Sequence, residues 1–284
     1  MSSYLFQADI NKFDAHTTRY NGENALVLAD CAKLAYQSEP TIREAMQKTW
    51  MFRNFEFFDS GESTQAFIAG NETAIIIAFR GTEIKKIKDV INDKRFIPTT
   101  GSAGTVHRGF NAALHEVWGV NAKKDMRPYI KKFQDKNQSI WFCGHSLGAA
   151  LATLAAAEYV INEGGTVNGL YTIGQPRIGN DLFASVFNKA VSDRCFRFVN
   201  NNDIVTRIPI SLPVFKYTHV GNALYLDSKG RLHDVLPWWK KAWDRIKGIS
   251  EDIGEIGPDI VNDHDSKKYV DWLVKNRSVI TKWS

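Results

Sequence analysis

Short apolar runs alternate with helical patterns along the chain, and this alternation predicts the fold class. Two runs, Gln65–Ala69 and Ala74–Phe79, are separated by a Gly-Asn-Glu turn and predict a β-hairpin. Later runs predict further strands at Ile140–Cys143, Gly169–Ile173, Cys195–Val199, Tyr217–Val220 and Ala223–Leu226. Because helical patterns separate most of these strands, we expect an α/β protein with a mainly parallel, doubly wound central sheet and helices on both faces.

The helical segments differ in how their apolar residues are spaced. Asn24–Tyr36 places most of its apolar residues on one side and predicts an amphipathic helix against the sheet. Asn111–Phe133 predicts a helix that breaks or kinks near Pro128. The segment 96–106 contains one proline and two glycines, so we expect a loop there. Helices are also predicted at Ala149–Val160 and Asp181–Ala190.

The run Ile140–Cys143 continues into Gly144-His145-Ser146-Leu147-Gly148 and then into a helix of small residues. A serine between two glycines at a strand-to-helix turn is typical of the nucleophile elbow, in which the serine hydroxyl is presented at a helix N-terminus. The alternative is a tight turn that carries an inert serine. The context of strand, turn and helix favours Ser146 as a nucleophile.

The strand Ala74–Phe79 ends in Arg80-Gly81-Thr82. A strand end of this kind can direct a backbone N–H and a threonine hydroxyl into a pocket. In acyl transfer these donors, together with the backbone N–H of Leu147, would stabilise an oxyanion. An ordinary strand-end turn explains Thr82 equally well at this level.

A serine hydroxyl needs an imidazole to take its proton and a carboxylate to orient that imidazole. In this fold type the three groups follow the order Ser, Asp or Glu, His, which leaves the histidines after Ser146. His219 lies in a strand pattern and His233 follows a turn, so we interpret both as structural or surface histidines. His264 lies in a polar loop that opens the last helix, and Asp203 follows the strand Cys195–Val199. We therefore predict Ser146, Asp203 and His264 as the catalytic residues.

Size and composition limit the organisation of the protein. The 284 residues, of which 44% are hydrophobic, predict one domain over residues 1–284. The net charge of +5 is spread along the chain and argues against nucleic-acid binding. Cys31, Cys143 and Cys195 are interpreted as buried thiols.

We find no signal-peptide pattern and no apolar run of the roughly 20 residues that a membrane span needs. We therefore expect a soluble protein, cytoplasmic or exported by a route independent of a signal peptide.

Two segments have the pattern of lipid-contacting helices. Glu83–Arg95 has isoleucines on one side and lysines on the other, which suggests a lid over the site, although a solvated helix is the ordinary explanation. Pro237–Ile249 combines tryptophans and lysines, as interfacial helices do, although it could simply pack on its own core. The residues assigned to this interfacial role are Ile84, Ile87, Ile91, Trp239 and Trp243.

Six sequence blocks in order resemble the class 3 (fungal-type) lipase family, over about Ala25 to Tyr269. They are Phe79–Thr82, His107–Phe110, Gly144–Ala150, Gly174–Asn180, Asn201–Val205 and Asp263–His264. The resemblance implies an α/β-hydrolase fold, hydrolysis of acylglycerol esters, no cofactor and no metal. It also implies Ser146, Asp203 and His264 as the triad and Thr82 with Leu147 as the oxyanion hole. Secreted fungal members typically carry a signal peptide and disulfides, and their absence suggests a bacterial branch.

Three functions are compatible with these observations. A serine carboxylester hydrolase, or lipase, acting on glycerolipids through an acyl-enzyme explains the motifs best. The lysines near the lid-like segment suggest an alternative, a phospholipase A on anionic membranes with peripheral membrane contact. A non-catalytic lipid-binding protein on a hydrolase scaffold is the third hypothesis, and the complete Ser, Asp and His set argues against it.

Overall fold

A computed structural model describes residues 4–81, 97–201, 203–209, 216–234 and 262–284. In these residues the strands are β1 (Asn54–Asp59), β2 (Gln65–Gly70), β3 (Ala74–Phe79), β4 (Pro98–Gly101), β5 (Gly104–His107), β6 (Ser139–His145), β7 (Gly169–Ile173), β8 (Cys195–Asn200), β9 (Asn222–Leu226) and β10 (Leu232–His233). The main sheet has the order β1-β2-β3-β6-β7-β8-β9-β10, and β4 pairs with β5 in a separate hairpin.

The helices of the same ranges are α1 (Gly22–Leu34), α2 (Glu39–Glu44), α3 (Arg108–His115), α4 (Arg127–Phe133), α5 (Leu147–Ala157), α6 (Asp181–Val191) and α7 (Ser266–Asn276). Short π-helical segments extend α2 and α5, at Ala45–Thr49 and Glu158–Asn162. None of the helices in the described ranges is both long enough and apolar enough to cross a lipid bilayer. The single domain predicted over residues 1–284 stays a prediction.

The centre of the main sheet is parallel, and its strands follow one another in chain order. β3, β6, β7, β8 and β9 pair in parallel, whereas β1, β2 and β10 form antiparallel edges. Right-handed crossovers between strands in sequential order place their helices on one face. Helices α3 to α6 accordingly share one core with that face, while α1 and α7 from the two ends of the chain cover the other.

Strand β3 shows why an almost unbroken apolar run forms the centre of this sheet. Ile75 and Ile77 contribute to the core under α3 to α6, whereas Ile76 and Ala78 contribute to the core under α1 and α7. Alternate side chains of a strand point to opposite faces, so a strand covered on both faces has to be apolar throughout. The predicted hairpin and parallel sheet are confirmed.

Helix α1 differs from the amphipathic helix that its sequence predicts. Almost every residue from Asn24 to Leu34 is buried, because the helix lies between the sheet and α7. Two of its polar residues are buried with it and hold the N-terminal segment. Asp30 accepts hydrogen bonds from the backbone of Gln7 and Ala8 at 2.7 and 2.8 Å, and Asn24 donates to the Asp14 carbonyl at 2.8 Å.

Two other sequence expectations were wrong, and a third was confirmed. Residues 98–107 form the β4–β5 hairpin rather than a loop, because two glycines supply its turn. The break predicted near Pro128 within Asn111–Phe133 is confirmed, because residues 116–126 separate α3 from α4 and Pro128 lies in the first turn of α4, where its missing N–H costs nothing. Tyr217–Val220 is not a strand, since Thr218 makes only an isolated bridge to Gly179.

Candidate active site

Ser146 lies in a sharp turn between β6 and α5. Its backbone has φ 58° and ψ −127°, a conformation that residues with a side chain rarely adopt. Its N–H donates to the Ile173 carbonyl of β7 at 3.1 Å, which fixes the turn to the neighbouring strand. Its side chain makes no capping hydrogen bond to α5. The strained turn therefore holds the hydroxyl without using it structurally.

The two glycines that flank the serine are required by close backbone contacts. A Cβ atom on Gly144 would lie 2.3 Å from the carbonyl oxygen of Gly148. A Cβ atom on Gly148 would lie 2.2 Å from the carbonyl oxygen of Phe79, at the end of β3. The elbow is thus packed directly against the strand end that leads to Thr82. No other residue type fits at either position without moving the backbone.

Asp203 and His264 form a buried hydrogen-bonded pair. The Nδ1 atom of His264 lies 2.8 Å from Oδ2 of Asp203, and the two side chains are 1% and 0% exposed. The backbone N–H of Val205 donates to Oδ1 of Asp203 at 2.9 Å, and the Tyr269 hydroxyl donates to Oδ2 at 2.6 Å. With Nδ1–H donating to the carboxylate, Nε2 of His264 is the ring nitrogen free to accept a proton.

Tyr269 was not recognised in the sequence as a site residue. It lies on α7, and its hydroxyl accepts a hydrogen bond from the Asn200 backbone N–H at 2.9 Å while donating to Asp203. Burial is the main cause that raises the pKa of Tyr269 well above its usual value, so the phenol stays protonated and donates. The Asn200 side chain also donates to the Asp263 carbonyl at 2.6 Å, beside His264.

The elbow and the Asp203–His264 pair lie together at the carboxyl end of the sheet. The imidazole of His145, directly before Ser146, packs on that of His264 with ring centroids 4.5 Å apart. A Cβ atom on Gly174, which follows β7, would lie 2.8 Å from Cε1 of His264. Among the described residues, the buried Nε2 of His264 has no hydrogen-bond partner, so no bond to the Ser146 hydroxyl is formed in this state.

The predicted oxyanion donors are only partly within the described ranges. Leu147 is the first residue of α5, and the first N–H groups of a helix have no partner within the helix. Thr82 lies outside the described residues. Its neighbour Gly81 is described, and a Cβ atom there would lie 3.2 Å from Cβ of Ser146. The strand end before Thr82 therefore lies beside the predicted nucleophile.

The two other late histidines have partners of their own. His219 is buried, its Nε2 hydrogen-bonds the Thr206 carbonyl at 2.8 Å, and burial lowers its pKa well below the usual value. His233 contacts the Asp227 carboxylate at 3.0 Å at the turn after β9. Neither has a recorded hydrogen bond to Ser146 within the described part of the chain.

The remaining candidate residues fall into two groups. Cys31, Cys143 and Cys195 are buried free thiols, and burial raises the pKa of Cys195 to about 12. No group of three or more His, Cys, Asp or Glu side chains suited to a metal ion occurs in the part of the chain that the structure describes. The interfacial residues predicted from the sequence all lie outside that part; they are Ile84, Ile87, Ile91, Trp239 and Trp243.

The sheet, its two covered faces and the serine elbow define the protein as an α/β-hydrolase fold. Solved lipase structures share this fold: the Rhizomucor miehei lipase in its propeptide complex superposes with a TM-score of 0.57 and 25% identity, over 74% of this chain and 70% of that chain. The predicted fold class is confirmed.

Residues 76–212 match the family model of class 3 lipases, and the comparisons support this family. A triacylglycerol lipase, OBL1 of Arabidopsis thaliana, is 31% identical over 69% of this chain and 48% of its own length. A secreted mono- and diacylglycerol lipase of Fusarium solani is 34% identical over 55% of this chain and 44% of its own. The chain thus spans about half the length of these curated relatives. They are plant and fungal proteins, which gives no support to the expected bacterial branch.

Proposed function

We propose that the protein is a serine carboxylester hydrolase of the lipase type, with Ser146, His264 and Asp203 as its triad. The observation that supports this most directly is the buried Asp203–His264 hydrogen bond of 2.8 Å beside a strained serine elbow. Nε2 of His264 is buried and has no hydrogen-bond partner among the described residues. A general base needs such a nitrogen to accept the serine proton.

The proposed reaction proceeds through an acyl-enzyme. His264 Nε2 takes the proton of the Ser146 hydroxyl while Oγ attacks the ester carbonyl, and Asp203 stabilises the imidazolium. The tetrahedral intermediate collapses when the imidazolium protonates the leaving alcohol oxygen and the ester C–O bond breaks. Water then attacks the acyl-enzyme by the same route, which releases the carboxylic acid and restores the Ser146 hydroxyl.

In this proposal the backbone N–H of Leu147 and donors of Thr82 bind the oxyanion. The strain and close contacts of the elbow support the first assignment, because they direct the start of α5 at the space beside Ser146. The position of Gly81 next to Ser146 supports the second. Preorganised donors of this kind contribute about 10²–10³-fold each to the rate in related chemistry.

We propose acyl esters of glycerolipids as the substrate class, since the relatives are named triacylglycerol or mono- and diacylglycerol lipases. Ser146 is 3% exposed, so the site has to open before an ester can enter. Opening at a lipid surface fits the sequence patterns of residues 83–95 and 237–249. The lysines of these segments would attract anionic phospholipid, which is therefore the alternative substrate. The proposal also includes a peripheral contact with the membrane.

The test compares the whole chain with Ser146→Ala and with Ser228→Ala, a control at an exposed serine. Activity is measured on triolein emulsion, on phosphatidylglycerol vesicles and on p-nitrophenyl butyrate, together with labelling by a fluorophosphonate probe. We expect Ser146→Ala to lose about 10⁵–10⁶-fold in kcat and all labelling, because loss of the nucleophile removes the triad's contribution. Ser228→Ala should match the unmodified protein.

The outcomes separate the hypotheses. Esterase activity or probe labelling that persists in Ser146→Ala would refute the triad. Faster turnover of vesicles than of emulsion would assign a phospholipase A instead of a triacylglycerol lipase. Strict preference for the water-soluble ester would overturn both interfacial functions, and absence of labelling in the unmodified protein would favour a non-catalytic lipid-binding protein.

A further inference from the structure

A second hydrogen-bond chain reaches the predicted base through its main chain rather than its side chain. The Tyr36 hydroxyl, two residues after α1, lies 2.8 Å from Nδ1 of His145. Nε2 of the same imidazole lies 2.7 Å from the backbone carbonyl oxygen of His264. His145 is buried and joins the segment that precedes the nucleophile to the main chain of the base.

The direction of each hydrogen bond follows from the chemistry of its partners. A carbonyl oxygen only accepts, so Nε2 of His145 carries a proton and donates to His264. Burial, with the neighbouring His264, lowers the pKa of His145 well below its usual value, so the ring is neutral. Its Nδ1 then accepts from the Tyr36 hydroxyl. The backbone of Gly81 lies close to the hydroxyl oxygen of Tyr36.

The chain ends at the strand end beside the predicted oxyanion hole. A Cβ atom on Gly81 would lie 2.2 Å from the Tyr36 hydroxyl oxygen and 2.4 Å from the His145 carbonyl oxygen. Only glycine allows the three segments to approach this closely. The residue after Gly81 is Thr82, the predicted oxyanion donor. One continuous set of contacts therefore runs from the oxyanion strand to the backbone of His264.

We propose that Tyr36 and His145 are positioning residues that hold the main chain of His264 and the Gly81 strand end in one fixed arrangement. The proposal rests on the function proposed above. Asp203 orients the imidazole of His264 through its side chain, whereas His145 fixes the backbone from which that imidazole extends. Because His145 is neutral, it does not repel the positive charge that forms on the His264 imidazolium. It can therefore hold the His264 backbone in place without opposing the reaction.

Four variants test this assignment. Tyr36→Phe removes the hydroxyl and keeps the ring. His145→Asn can place an amide near the position of Nδ1 but cannot reach the His264 carbonyl, whereas the longer His145→Gln can place an N–H donor near the position of Nε2. Tyr20→Phe is the matched control, because the Tyr20 hydroxyl is buried and has no hydrogen-bond partner among the described residues.

The measurements are kcat and KM on p-nitrophenyl butyrate, with kcat expressed per site titrated by a fluorophosphonate, and the thermal midpoint. We expect Tyr36→Phe and His145→Asn to lose about 10- to 100-fold in kcat with KM nearly unchanged, because a misplacement of about 1 Å can cost 10²-fold. His145→Gln should recover about tenfold relative to His145→Asn, since its amide restores one donor to the carbonyl. Tyr20→Phe should keep the unmodified kcat.

A fall in thermal midpoint with unchanged kcat per titrated site would show a purely structural role and overturn the proposal, while the proposed hydrolase function would stand. Equal activity of His145→Gln and His145→Asn would overturn the role of the Nε2 donor. If His145→Asn does not fold, Tyr36→Phe decides the question because it retains all buried carbon atoms. Labelling that persists in Ser146→Ala would instead refute the proposed function itself, and this inference with it.

Discussion

The two sides of the candidate site are held by different means. On the nucleophile side the backbone alone positions Ser146, through a φ of 58° and two glycines that contact neighbouring main chain. The Ser146 side chain takes no part in capping α5. On the base side, hydrogen bonds of side chains position the imidazole: Asp203 is hydrogen-bonded to His264, to Tyr269 and to the backbone of Val205.

The two sides also contribute to the stability of the folded protein with opposite sign. A residue in a sparsely populated backbone conformation costs about 1–3 kcal/mol, which the rest of the fold has to offset. Hydrogen bonds to a charged group each contribute about 1.5–3 kcal/mol in favour of the folded state. The nucleophile side therefore stores strain, whereas the base side stabilises the structure. Removing the Ser146 side chain should therefore raise the free energy of unfolding, whereas removing a hydrogen-bonded side chain on the base side should lower it.

Among the variants that compare the two sides, Asp203→Asn on the base side has the largest expected effect. The carboxamide has nearly the same shape, but its N–H₂ group can donate to Nδ1 of His264 and favour the tautomer that carries its proton on Nε2. That tautomer cannot accept the serine proton, so kcat should fall by about 10⁴-fold with the fold retained. Steady-state kinetics and circular dichroism check both parts. A loss of less than tenfold would show that Asp203 does not set the tautomer.

A smaller effect is expected from Gly148→Ala on the nucleophile side. The new Cβ would lie 2.2 Å from the Phe79 carbonyl oxygen, which is backbone and cannot rotate away. We expect a loss of about 3 kcal/mol in the free energy of unfolding, measured with urea. Gly164→Ala is the control, because a Cβ atom there meets nothing within 4 Å. Its positive φ of 68° should cost about 1 kcal/mol. Equal losses in the two variants would contradict the close contact.

The same contrast explains which parts of the site could be predicted from the sequence. The elbow is local, because its glycines, serine, strand and helix are consecutive, so the pattern alone indicates Ser146. The base side joins residues 61 and 66 positions apart along the chain. The order of residues limits the candidates to a few, but only the folded chain shows that Tyr269 donates to Asp203. Tyr36 and His145 were missed for the same reason.

The fold was predictable where both faces of a strand are buried, since an unbroken apolar run such as Ala74–Phe79 fits few other structures. It was not predictable where tertiary contacts decide the outcome. Tyr217–Val220 has the residue types of a strand, yet Thr218 pairs with only one residue, Gly179. Helix α1 has the spacing of a surface helix, yet α7 covers its second side. In both cases the partner lies far away in the sequence.

The smallest expected effect is a difference in stability between two Ser146 variants, which tests the backbone strain at that residue. Ser146→Gly and Ser146→Ala both remove the hydroxyl, but only glycine adopts φ 58° and ψ −127° without a clash of its Cβ. Relief of about 1–3 kcal/mol of strain, reduced by the roughly 0.5–1 kcal/mol that glycine loses in chain entropy, predicts that Ser146→Gly is about 1 kcal/mol more stable than Ser146→Ala. Urea unfolding of the two inactive variants measures this difference directly. A glycine variant no more stable than the alanine variant would mean that the elbow stores no strain at Ser146, and that hydrogen bonds such as the one from its N–H to Ile173 hold the turn instead.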